Sequence, residues 1–247
     1  MKSFGMTDIG LKRHTNQDSY RNNELSDNFV WSLVCDGMGG VNGGDVASSI
    51  AVKVIGEYLD ENLSFGLDDN KSFEIIKEAF EKANISVFTK ASESNEFKGM
   101  GTTAVLAVAK GNTCLLAHIG DSRAYLYSDG AVKQVTIDHS LVQNMVNSGQ
   151  ITAAQARVHP QKNIITKSLG VHETVVPECN SIDFKDGDII VICTDGLGDY
   201  LTEEVLLEYI KANPSEKLTD ELLKYALRCG GVDNITVTTM DRIWKTI

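Results

Sequence analysis

Basic residues are in short supply in this chain. Lys and Arg total 23 against 34 Asp and Glu in 247 residues, a formal net charge of −11. That excess argues against a nucleic-acid backbone or an anionic membrane surface as partner, because both repel it. No run of about 18 consecutive apolar residues occurs, and Met1-Lys2-Ser3-Phe4 opens no signal peptide. A soluble, cytoplasmic protein is expected. No CxxC is present among Cys35, Cys114, Cys179, Cys193 and Cys229, and several of these sit inside apolar runs. Buried reduced thiols are expected, not a zinc site or a disulfide framework. His14, His118, His139, His159 and His172 form no HxH or HxxxH pair. Residues 37–44 are glycine-rich but lack the GK[ST] end of a phosphate-binding loop. No linker, repeat or low-complexity tract divides the chain, so a single domain over 1–247 is expected, with a monomer as the default.

What is present is a run of alternating short elements. FVWSLVC (29–35) reads as a buried strand. Apolar residues recur at helical spacing over 45–59 and from 72 to about 89. Strands over 102–109 and 113–119 flank Gly111-Asn112, and strands over 124–127 and 132–135 flank Asp129-Gly130; both pairs read as hairpins. A short helix is expected over 141–146, and Thr152-Ala-Ala-Gln155 has capping-box form. Strands over 175–184, 188–193 and 235–241 and helices over 203–210 and 215–227 complete the pattern. Clustered hairpins exclude a regular parallel βαβ sheet and fit an α+β class, antiparallel sheets covered by helices.

Four aspartates carry the chemistry. Asp36 (LVCDGMGG), Asp121 (AHIGDSRAYL), Asp195 (IIVICTDGLGDYL) and Asp233 (RCGGVDNITV) each follow an apolar run or sit beside glycine. One such strand-tip carboxylate is an ordinary turn. Four suggest convergence on a positive charge, and oxygen-only ligands favour Mg²⁺ or Mn²⁺. Two cations roughly 3.5–4 Å apart can share a hydroxide and clamp a phosphoryl group. Gly37 lacks a side chain, so its carbonyl could also reach a metal. Arg13, in GLKRHTNQDSY (10–20), supplies the planar fork that suits a phosphate.

These segments resemble the protein phosphatase 2C-like (PPM-type) Ser/Thr phosphatases of the bacterial, single-domain kind. GLKRHTNQDSY, DGMGG (36–40), MGTTAVLAV (100–108), HIGDSRAYL (118–126), DHSLVQNMVNSGQIT (138–152), HPQKNIITKSLG (159–170), CTDGLGDYL (193–201) and GGVDNITV (230–237) resemble that family's motifs in order along the whole chain. The resemblance implies a four-layer αββα sandwich, with two antiparallel sheets packed face to face and flanked by helices. It implies that Asp36 bridges two metals, with the Gly37 carbonyl beside it, and that Asp195 and Asp233 complete the second metal's protein ligands. Asp121 with Asp195 would hold a third ion. Arg13 would grip the substrate phosphate, and Asp18 and Asn234 would orient the ligands through water. The reaction implied is hydrolysis of phosphoserine and phosphothreonine in proteins by in-line attack of the shared hydroxide, opposing a bacterial Ser/Thr kinase. The segment 149–169, with Arg157, Lys162 and Lys167, would be a mobile flap over the site. Two positions depart from the pattern of the eukaryotic members. Met38 stands where eukaryotic members carry a histidine proposed as general acid, and Gln17 stands where many relatives have Glu. Two rivals are a non-catalytic phosphate-sensing or partner-binding module on the same fold and a hydrolase of small phosphorylated metabolites.

Overall fold

The computed structural model describes residues 1–39 and 43–242. Residues 40–42, part of the glycine-rich stretch singled out above, lie outside the described residues. Along the chain run β1 (Lys2–Asp8), β2 (Asp18–Ser26), β3 (Phe29–Met38), α1 (Gly44–Asn62), α2 (Asp69–Glu93), β4 (Gly101–Thr102), β5 (Ala104–Lys110), β6 (Thr113–Ile119), β7 (Arg123–Ser128) and β8 (Ala131–Gln134). Then come α3 (Leu141–Asn147), α4 (Ala153–Arg157), β9 (Glu178–Asp183), β10 (Ile189–Cys193), α5 (Asp195–Gly198), α6 (Glu203–Ala212), α7 (Ser215–Arg228) and β11 (Ile235–Asp241).

Two sheets form, in the orders β1-β11-β10-β7-β8 and β2-β3-β5-β6-β9, with β4 paired to the end of β3. Every pairing is antiparallel. Period-two alternation assigns the faces. On β3, Phe29, Trp31, Leu33 and Cys35 pack with residues of α1 and α2 such as Ile55, Leu59, Ile76 and Phe80. The intervening Val30 and Val34 meet Ile190, Ile192 and Met240 of the other sheet. That second sheet turns Val191, Cys193, Ile235 and Val237 toward Leu206, Leu218 and Leu222 of α6 and α7. Each fully buried aliphatic or aromatic side chain contributes roughly 1.5–3 kcal/mol, so three apolar layers hold the αββα stack together. The four-layer sandwich is the architecture that the sequence motifs imply.

Both hairpins form where expected, with Gly111 (φ 58°) and the Asp129-Gly130 pair (φ 52° and 81°) in the left-handed region their turns require. The capping box is complete: Gln155 N–H donates to Thr152 Oγ1 at 3.2 Å, and Thr152 N–H donates to Gln155 Oε1 at 2.8 Å. Helix α2 extends beyond the expected span at both ends, its start fixed by the Asp68 carboxylate, which accepts from Lys71 N–H at 2.8 Å. Strands β1 and β2 and the short α5 were not among the sequence expectations. The cysteines are all unpaired, but Cys229 is exposed where a buried thiol was expected. No helix among the described residues is long and apolar enough to cross a membrane.

Candidate active site

The antiparallel registers bring the chosen aspartates to one end of both sheets. Asp36 lies near the end of β3, directly opposite Asp18 at the start of β2. Asp121 follows β6 after Gly120, whose φ of 103° turns the chain sharply. Asp195 follows β10 and opens α5, and Asp233 precedes β11, the antiparallel neighbour of β10. Thr194 Oγ1 donates to Asp18 Oδ2 at 2.9 Å, across the two sheets, and the carboxylates of Asp36 and Asp195 act on each other as like charges.

Gly37 sits where no other residue fits. A Cβ there would lie 1.9 Å from the Gly44 carbonyl oxygen and 2.6 Å from that of Gln17. Its N–H donates to the Gln17 carbonyl at 3.0 Å, and its own carbonyl lies against Gly44 at the start of α1. Strand β3 is thereby clamped between the loop that carries Arg13 and the first helix.

The electrostatics of this cluster are those of crowded acids. Burial, and then the facing carboxylates of Asp18, Asp195, Asp121 and Asp233, push Asp36 well above the ordinary carboxylate range. Burial pushes Asp121 up to about 8, with Asp195 the next cause. Asp195 is raised to about 6 by burial and then by Asp233. Asp18 is raised to about 7, chiefly by burial and despite hydrogen bonds from Thr236 and Thr194. Carboxylates facing one another at low exposure are costly without a positive partner. Among the described residues, the only direct ion pair to Asp36, Asp121, Asp195 or Asp233 is Arg13 Nη2 to Asp233 Oδ2 at 2.7 Å. The donor set is all oxygen, the chemistry of Mg²⁺ and Mn²⁺. The residues present therefore fit a hard divalent cation.

The loop bearing Arg13 is tied down by Asn234, which is 4% exposed. The Asn234 side chain donates to the Ile9 and Thr15 carbonyls at 3.0 and 2.9 Å and accepts from Gln17 N–H at 2.9 Å. Its main-chain N–H donates to Asp233 Oδ1 at 2.8 Å. Asn234 thus joins the Asp233 turn directly to the Arg13 loop.

The expected flap, 149–169, spans α4 and a coil whose end bridges Leu169 to Thr102, next to the Asp36 tip. Lys162 Nζ donates to Asp199 Oδ2, and Asp199 caps the C-terminus of α5. Sequence reasoning missed Arg123. Its Nε donates to both Asp138 oxygens (3.1 and 2.9 Å), Nη2 to Asp138 Oδ2 (2.7 Å) and Nη1 to the Gly198 carbonyl (2.5 Å). It braces the turn that carries Asp195. The signal was present in GDSR (120–123), where an arginine follows the candidate aspartate by two residues. His118 and His139 are buried, and with Glu178 they gather three potential ligand atoms within 4.8 Å. Their rings are stacked 7° from parallel, so their in-plane lone pairs do not converge on one ion.

Comparison with known proteins defines the class. The serine/threonine phosphatase stp of Listeria monocytogenes is 34% identical over 238 residues, which is 96% of this chain and 94% of that protein. The serine/threonine protein phosphatase PstP of Mycobacterium tuberculosis is 34% identical over 239 residues, 95% of this chain and 44% of its own length. The crystal structure of M. tuberculosis PstP/Ppp matches with a TM-score of 0.89 at 32% identity, covering 98% of this chain and 99% of that one. The catalytic domain of PstP in complex with two manganese ions matches with a TM-score of 0.86 at 30% identity and 98% coverage of each chain. The family model described as protein phosphatase 2C matches residues 12–229. This chain belongs to the protein phosphatase 2C family, whose members are metal-dependent enzymes.

Proposed function

We propose that this serine/threonine protein phosphatase holds two divalent cations, Mn²⁺ or Mg²⁺, among Asp36, Asp195, Asp233 and the Gly37 carbonyl, and a third between Asp121 and Asp195. The observation that carries the reading is the gathering of Asp36, Asp121, Asp195 and Asp233 at one end of both sheets, with Arg13 to Asp233 the one direct ion pair to them among the described residues. Carboxylates crowded in that way need a shared positive charge. Bound there, the cations would supply water acidified toward neutral pH and offset charge on the phosphoryl oxygens.

The chain's own groups supply the rest. Arg13 offers two parallel donors to the phosphate of a phosphoserine or phosphothreonine substrate. Its exchange between Asp233 and substrate keeps the guanidinium within the site when no phosphate is present. Asn234 fixes the loop that aims it, and Asp18 with Thr194 fixes the two strand ends relative to each other. Met38 has no proton to give, so the leaving serine or threonine oxygen is protonated from elsewhere in the site. We read 1–247 as one catalytic domain, with 149–169 as a flap latched by Lys162 to Asp199. A monomer in the cytoplasm acting on the targets of a bacterial Ser/Thr kinase, and on the kinase itself, is the setting this chemistry suits.

The test is Asp36→Asn, assayed for Mn²⁺-dependent hydrolysis of p-nitrophenyl phosphate and of a phosphothreonine peptide, with circular dichroism to verify the fold. Turnover should fall to background. Full turnover in the folded variant, or in the wild type with excess EDTA, would refute the assignment.

A further inference from the structure

A buried threonine stands between two of the carboxylate loops. Thr103 joins β4 to β5 and is fully buried. Its hydroxyl accepts the Asp36 main-chain N–H at 2.9 Å and shares a hydrogen with Ser122 Oγ at 2.8 Å. Its own N–H donates to the Asp36 carbonyl at 2.8 Å. Both main-chain polar groups of Asp36 are therefore held by this one residue. Ser122, 1% exposed, directly follows Asp121. A hydroxyl has one donor and two acceptor positions, so Thr103 can serve both partners at once. Its neighbour Thr102 cannot, because Thr102 Oγ1 is spent on the carbonyls of Asp36 and Thr103.

The Asp121 loop is also pressed onto Thr103 from the other side. A Cβ on Gly120 would lie 2.5 Å from Thr103 Cγ2 and 2.6 Å from its Cβ. Only glycine permits that approach at a φ of 103°. The hydroxyl bridge and the glycine contact together fix the Asp121 loop against the tip of β3.

We propose that Thr103, through Ser122, is a positioning residue that locks the Asp121 loop to the Asp36 tip and so couples cation binding at the two carboxylates. The proposal rests on the cation reading of the site given above. A site built from side chains of separate loops is only as well defined as the spacing of those loops, and a slack of about 1 Å is enough to degrade it. Thr103→Val keeps the volume and removes the hydroxyl. It leaves the Asp36 N–H and the Ser122 hydroxyl buried without their partner. Ser122→Ala is more selective: it cuts the link to the Asp121 loop and leaves Thr103 bonded to Asp36.

The experiment measures Mn²⁺ binding to metal-stripped wild type, Ser122→Ala, Thr103→Val and Thr103→Ser. It uses calorimetric titration and manganese electron paramagnetic resonance, with melting temperatures in EDTA alongside. In Ser122→Ala the weakest Mn²⁺ class should lose about tenfold in affinity, while the tight classes stay within twofold. In Thr103→Val every class should weaken, and Thr103→Ser should return each to within twofold of wild type. A purely structural role would lower the EDTA melting temperature of the variants and leave every Mn²⁺ affinity within twofold; that result overturns the proposal. Should Thr103→Val fail to fold, Ser122→Ala decides alone. Wild type that binds no Mn²⁺ would sink the cation reading itself, whereas wild-type affinity in every class for both Ser122→Ala and Thr103→Val would sink only the role of Thr103.

Discussion

Replacing Asn234 with alanine should detach the phosphate-gripping loop from the rest of the site. The side chain makes three hydrogen bonds, to the main chain of Ile9, Thr15 and Gln17. At a net value of about 0.5–1.5 kcal/mol each, the full loss is about 3 kcal/mol. The loop is largely exposed at Leu11, Lys12, Arg13, His14 and Thr15, so its freed carbonyls can turn to water. That relief brings the expected loss of stability down to about 1–2 kcal/mol. For a chain of this size the melting temperature should then drop by about 2–8 °C. The catalytic loss should be larger, because Arg13 loses its aim while the fold survives. Each 1.4 kcal/mol of lost positioning is about tenfold in rate, so kcat/KM should fall at least about tenfold. The assay is phosphate release from a phosphothreonine peptide at saturating Mn²⁺, with a thermal melt in parallel. Asn234→Asp should be worse than alanine, since it loses both donors and adds a negative charge beside Asp233. A folded Asn234→Ala enzyme with kcat/KM within twofold of wild type would refute the reasoning, because the loop would then be held without its anchor.

Two other perturbations test the scaffold. Arg123→Met should strand the Asp138 carboxylate, whose side chain is 10% exposed, after removing its guanidinium fork; breaking a buried pair costs about 3–5 kcal/mol, and a melt should show a fall of about 6–12 °C or more. A drop under about 2 °C would mean that the pair braces nothing. Asp241 is 1% exposed, and its Oδ1 accepts the Lys2 main-chain N–H at 3.1 Å. Burial is the main cause that holds its carboxyl above the ordinary range. The folded-state pKa then exceeds the unfolded one, so this group's stabilising contribution is full at pH below the unfolded value. It is lost as pH rises through the folded value. Asp241→Asn should abolish that loss, melting above wild type near pH 8 and gaining less near pH 4. A melting difference that does not vary with pH would contradict the assignment.

The site was more legible in sequence than its supports. Each of the four aspartates lies beside an apolar run, and a strand tip is a local feature that period-two reading can find. Convergence followed because antiparallel order returns alternate strand ends to the same side. The supports escaped because their partners are remote: Thr103 meets Asp36 across 67 residues and Thr194 meets Asp18 across 176. A threonine that serves a distant main-chain group carries no local pattern. Strand β2, DSYRNNELS, is half-exposed at a sheet edge and lacks the apolar alternation that marks a strand. Strand β1 is likewise half-exposed, and its Gly5 is a contact for the Tyr20 ring, not a breaker: a Cβ there would lie 2.3 Å from that ring. The lengthened α2 shows the opposite case, in which a cap at Asp68 extends a helix beyond its apolar stripe.

The central claim is that carboxylates from both sheets share cations at one end of the sandwich. Anomalous diffraction from a manganese-soaked crystal tests it most directly. The account predicts strong peaks enclosed by Asp36, Asp195 and Asp233, with a weaker one beside Asp121. Anomalous density elsewhere on the molecule, with none among those side chains at saturating Mn²⁺, would contradict it.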